Sequence, residues 1–161
     1  MSGHDVAIHE VDAAKIDALL TRFLDDSSAT AALLIDRSGQ PLTTVGPSRT
    51  LDTVSIAALA AGAFSSTGAL ARLLGETEFS VLFHQGAKEN MHVSTVDEQA
   101  ILLVIFNDQT TVGMVRLFAK EASRAIGEIL AEARKRPRKT GGLAAPISAD
   151  ELGPSFPNKR A

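Results

Sequence analysis

His84 and His92 fall on what read as consecutive strands, and with Glu89 between them they come closer than any other residues in this chain to a metal-ligating set. A transition-metal site needs three or four donors converging on one point. Two imidazoles with a single neighbouring carboxylate fall short of that, so polar edge-strand residues are the ordinary reading and no metal is expected. His4 and His9 lie in a leader and suggest no chemistry. Ser27-Ser28 and Ser65-Ser66 have no base beside them and read as a helix end and a small helix face, so no nucleophile is legible. Thr140-Gly141-Gly142 lacks the preceding strand and following helix that a phosphate-cradling loop requires. The basic run Arg134-Lys135-Arg136-Pro137-Arg138-Lys139 could meet nucleic acid or anionic lipid, but it also suits the negative end of a helix dipole, and its neutral to acidic surroundings favour that plainer reading. The absence of Cys excludes a disulfide frame and a zinc-thiolate site. No cofactor is implied by any of these groups.

The elements that hold these residues say more. The chain has 161 residues, room for one domain and a tail, and its 45% hydrophobic content supports a core. With seven Phe and no Trp or Tyr, that core must be mainly Leu, Ile, Val and Ala. A net charge of −3 argues against a general nucleic-acid binder. No apolar run is read as reaching membrane-spanning length, Met1 to Glu10 lacks the pattern of a secretory signal, and Ser2 excludes N-myristoylation, so the expected compartment is the cytoplasm.

The segment from Leu51 to Leu74 is apolar on two sides. At about 100° per residue, Ile56, Leu59, Ala63, Leu70 and Leu74 fall on one face. Val54, Ala57, Ala58, Ala61, Ser65, Gly68, Ala69 and Arg72 fall on the other. The large residues are expected to rest on the domain and the small face to look outward, where another backbone could approach closely. The plainer alternative is an Ala-rich helix packed inside a monomer. The outward reading makes Ala61, Ser65, Gly68, Ala69 and Arg72 candidate partner-binding residues. Lys120 and Arg124 on the last helix are candidate charged contacts of the same kind.

Val11 to Asp25 carries the stripe Ile16, Leu19, Leu20, Phe23, Leu24 and predicts a helix. Thr30 to Ile35 and Pro41 to Val45 read as strands around the turn Asp36-Arg37-Ser38-Gly39. Thr50 or Asp52 could cap the two-faced helix, which Gly75 stops. Phe79 to Gln85, Met91 to Val96 and Ala100 to Phe106 follow as strands, the last apolar throughout and therefore covered on both faces. Met114 to Ala133 is a final helix, ended by Pro137. Tight hairpins make the sheet mostly antiparallel. The fold class is α/β (α+β): a three-layer α/β/α sandwich around a five-stranded sheet, in the order α-β-β-α-β-β-β-α, with the first and last helices on one face. The domain is expected at 11–137, between a flexible leader (1–10) and a flexible tail (138–161).

These blocks resemble the MglB branch of the bacterial roadblock/dynein-light-chain family. The matching residues are Ala32-Leu33-Leu34-Ile35-Asp36-Arg37-Ser38-Gly39, Leu51-Asp52, Ala60-Ala61-Gly62 and Leu70-Ala71-Arg72-Leu73-Leu74-Gly75-Glu76. They continue with Phe79, Phe83-His84-Gln85-Gly86-Ala87-Lys88, Leu102 to Phe106 and Gly113-Met114-Val115-Arg116-Leu117, then Lys120 and Ala122-Ser123. The resemblance spans roughly residues 11 to 133 in the family's order. It implies a roadblock/longin-like fold and a homodimer that extends the sheet across the subunit boundary and pairs the middle helices. It also implies a partner, an MglA-like small Ras-type GTPase in its GTP state, whose hydrolysis is accelerated by repositioning its own groups. On that reading the chain is an activator with no active site, serving bacterial cell polarity or motility. Arg49, Arg72 and Arg116 are the candidates for an arginine supplied in trans, a role the resemblance disfavours. The tail segment holding Ile147 and Leu152 looks like an acidic tail helix linked to nucleotide exchange, though Gly153-Pro154 cuts it short. A non-catalytic roadblock scaffold, tethering partners without changing turnover, is the alternative. No nucleic acid or membrane is implied as a partner.

Overall fold

The computed structural model describes residues 9–47 and 50–136. Eight elements follow in order: α1 (Glu10–Ser27), β1 (Ala31–Asp36), β2 (Pro41–Val45), α2 (Thr53–Leu73), β3 (Val81–Gln85), β4 (Asn90–Thr95), β5 (Ala100–Phe106) and α3 (Val112–Lys135). The strands form one five-stranded sheet in the order β2-β1-β5-β4-β3, with every neighbouring pair antiparallel. This is the element order and three-layer class expected from the sequence.

Strand alternation divides the core in two. Ala32 and Leu34 of β1 and Ala100, Leu102, Val104 and Phe106 of β5 face α1 and α3, where they meet Ile16, Leu20, Val115, Ile126 and Leu130. Leu33, Ile35, Ile101, Leu103 and Val93 face α2. The β5 run is thus buried from both sides, which explains its lack of polar positions.

Local chemistry sets the boundaries. The Asp36 carboxylate accepts from the backbone N–H groups of Ser38 (2.9 Å) and Gln40 (3.1 Å), closing the β1–β2 turn. Asp52, rather than Thr50, caps α2: its Oδ1 accepts from the Ser55 N–H at 3.1 Å and its Oδ2 from the Ser55 hydroxyl at 2.7 Å. These bonds hold the Asp52 carboxyl below its ordinary 3.8. At the other end Gly75 takes φ +83°, and the Glu76 N–H returns to the Ala71 carbonyl. Thr111 Oγ1 caps α3 by accepting from the Met114 N–H at 3.2 Å. The buried Asp12 of α1 accepts from Arg136 at 3.0 Å, pinning the start of α1 to the end of α3. Pro137 and the tail beyond it lie outside the described residues.

Candidate functional site

The orientation of α2 differs from the sequence expectation. Its buried residues are Ala57, Ala60, Ala61, Phe64 and Ala71, and these, not the leucines, rest on the sheet. The physical reason is volume. The sheet already supplies Leu33, Ile35, Ile101 and Leu103 at this boundary, so close packing leaves room for methyl groups and one aromatic ring. The larger residues point away: Leu59 is 74% exposed, Leu73 84% and Val54 65%. Leu70 and Leu74 are exposed beside them. By length and composition alone α2 is apolar enough to cross a membrane, which revises the expectation that no run reaches that length. One face of it is nevertheless committed to the sheet.

Ala61, expected on the outward face, is a correction: at 6% exposed it lies under α2, beside Arg37, Phe64 and Ile101. Ser65, Ala69 and Arg72 are exposed and Gly68 is half-buried, so these four do border the outer surface. Lys120 does not join them. It is exposed on α3, on the opposite side of the sheet, as are Arg116 and Arg124. Arg49, Ile147 and Leu152 lie outside the described residues. The signal that sequence reasoning missed was Phe64, which continues the spacing Ala57, Ala60, Ala61 toward Ala71 and marks the inward stripe.

The histidine pair is separated by register. His92 lies opposite Phe83 and His84 opposite Met91, so the two imidazoles project from opposite faces of the sheet. Among the described residues no three metal-ligating side chains come together.

Two further surfaces of the subunit are uncovered. The edge strand β3 has an unpaired side and carries exposed Val81 and Phe83. Because α2 lies over β1 rather than β3, the neighbouring sheet surface forms a cleft of about 520 Å³ lined by Leu51, Ile56, His84, Met91 and Ile105. An apolar helix face, an apolar cleft and an open sheet edge on one molecule are groups that association would cover.

A small α/β/α domain of this topology with an uncovered central helix is the roadblock type, and the Roadblock/LC7 domain family model matches residues 15–106. The chain belongs to that family. Within it, the chain is similar to the solved structure of Myxococcus xanthus MglB at 36% identity, covering 81% of this chain and 98% of that one with a TM-score of 0.75. It is similar to the gliding protein MglB of Thermus thermophilus at 30% identity, covering 81% and 99% with a TM-score of 0.76. A structure titled as MglB with a tetrameric arrangement matches at 30% identity, covering 82% and 99% with a TM-score of 0.77. No curated protein gives a significant match.

Proposed function

We propose that this chain acts as a homodimer that binds an MglA-like small Ras-type GTPase in its GTP state and accelerates hydrolysis, with no active site, metal or cofactor of its own. The observation that carries this reading is the outward face of α2, with Leu59, Leu70 and Leu73 uncovered on a folded subunit. Covering such leucines is worth about 1.5–3 kcal/mol each for full burial. Two copies pairing through α2 and the β3 edge would bury them and present Ser65, Gly68, Ala69 and Arg72 at the rim of a composite surface. The GTPase switch loops would dock there and be held in a hydrolysis-ready arrangement, so the contribution is positioning rather than a reactive group. Similarity to MglB supports this choice of partner, and the tetrameric arrangement of one relative supports self-association. A cytoplasmic role in cell polarity or motility belongs to the same proposal.

The test is multiple-turnover GTP hydrolysis by the cognate GTPase with and without this protein. Faster turnover in proportion to complex formed is the expected result. Binding with unchanged turnover would leave the scaffold reading in its place.

A further inference from the structure

On the face of the sheet away from α2, strands β3 and β4 and helix α3 enclose a second cleft of about 440 Å³, with Arg116, Lys120 and Arg124 at its rim. Its floor is polar and buried. His92 is 2% exposed, and the hydroxyls of buried Ser94 and Ser123 stand 3.4 Å apart. Neither ring nitrogen of His92 has a hydrogen-bond partner among the described residues. An unmet buried donor or acceptor costs about 1–3 kcal/mol, so native proteins satisfy such groups with a neighbour, a water or a ligand.

The rim supplies positive charge that is only partly balanced among the described residues. Arg116, Lys120 and Arg124 recur at four-residue intervals and so share one side of α3. Arg124 pairs with Glu128 at 2.8 Å, but Arg116 and Lys120 form no salt bridge among the described residues. No carboxylate is among the residues lining the cleft. Cations above and hydroxyl and imidazole groups below suit a tetrahedral oxyanion better than a flat carboxylate, because donors surround it instead of meeting one plane. A neutral imidazole can donate one ring N–H to an oxygen of such a group.

We propose that this cleft binds the phosphate group of a phosphate monoester, with Arg116 and Lys120 pairing its oxygens and His92, Ser94 and Ser123 completing its hydrogen bonds from beneath. The site lies across the sheet from α2 and is independent of the GTPase reading. The monoester could be a free small molecule or a phosphorylated side chain of another protein, since both present the same group.

The experiment titrates the full-length, nitrogen-15-labelled chain at constant ionic strength with inorganic phosphate, O-phosphoserine, and a phosphoserine peptide beside its unphosphorylated twin. Saturable NMR shifts confined to His92, Ser94, Ser123 and the α3 residues around them are expected with the phosphorylated probes. The exposed double substitution Arg116→Gln, Lys120→Gln should weaken binding at least about tenfold, with an unchanged melting temperature as the control for folding. A peptide that binds at least about tenfold tighter than O-phosphoserine identifies a protein-borne phosphate, and equal affinity identifies a small monoester. The proposal is overturned by the absence of a saturable shift with any probe, by equal binding of the unphosphorylated twin, or by undiminished binding in the double variant.

Discussion

The guanidinium of Arg37 lies over the ring of Phe64, 5.6 Å from its centroid. From the β1–β2 turn it also donates to Glu78 Oε1 at 2.6 Å and to the Asp97 carbonyl at 2.9 Å. One side chain thereby ties the β1–β2 turn to α2, to the segment before β3 and to the β4–β5 turn. Arg37→Ala should lower unfolding stability by about 2 kcal/mol in denaturant titration, through lost cation–π contact and charge-assisted hydrogen bonds. Glu78→Gln should cost under about 1 kcal/mol, because that pair is a third exposed and solvent screens it. Equal losses in the two variants would contradict the stacking contribution.

The inward stripe of α2 and its outward leucines should respond oppositely to substitution. Ala57 is fully buried against the sheet, so Ala57→Leu adds volume where none is free and should cost about 1–3 kcal/mol in a thermal or urea melt. Leu59→Arg changes a position exposed on the single subunit and should stay within about 0.5 kcal/mol of the parent when both are compared as monomers.

The association states of the same face provide a separate check. Leu59→Arg, Leu73→Arg and Ala69→Arg place a bulky, unpaired charge on the surface proposed to pair. Each should shift the chain toward monomer in light scattering and reduce GTPase binding while the fold is retained. A monomeric parent protein at high concentration would remove the premise.

Much of this architecture could be read from residue pattern. The β5 run and the α3 stripe announced their surroundings because each obeys one periodicity: a strand without polar positions must be covered twice, and α3 has a single apolar stripe. Helix α2 was ambiguous because it is apolar nearly all round, and pattern alone does not say whether leucines or alanines face inward. The large residues already contributed by β1 and β5 decide that, and their positions emerge only once the sheet is assembled. The same holds for His84 and His92, close in sequence but parted by the β3–β4 register, and for Arg37, whose partners Phe64, Glu78 and Asp97 come from three separate segments.

Gly46, just after β2, has φ +112°, and a Cβ there would stand 2.6 Å from the Thr30 carbonyl oxygen and 2.9 Å from the Ala31 Cα. Both neighbours are backbone, so neither can swing aside. Gly46→Ala should cost at least about 1–2 kcal/mol from the left-handed conformation alone, with the clash adding to it. Gly68→Ala is the control. That position has open space and helical geometry, so alanine should stabilise it by about 0.5–1 kcal/mol if the chain is held monomeric by a charge on the outer face of α2.

Burial first, and the positive charge of Arg116 second, lower the pKa of His92 from its ordinary 6.5. The unfolded chain therefore binds a proton at this residue more readily than the folded one, and stability rises with pH across the window between the lowered folded value and 6.5. The contribution is fully present above 6.5 and is lost as the pH falls through the folded value. The other charged groups lining the same cleft are Arg116, Lys120 and Arg124. Asp52 also contributes stability that acid removes, near and below 3.8. Urea titrations at a series of pH values should show stability declining on acidification from pH 6.5, and His92→Leu, which removes the titrating group, should flatten that slope. A slope that persists unchanged in His92→Leu would assign the acid sensitivity to another residue.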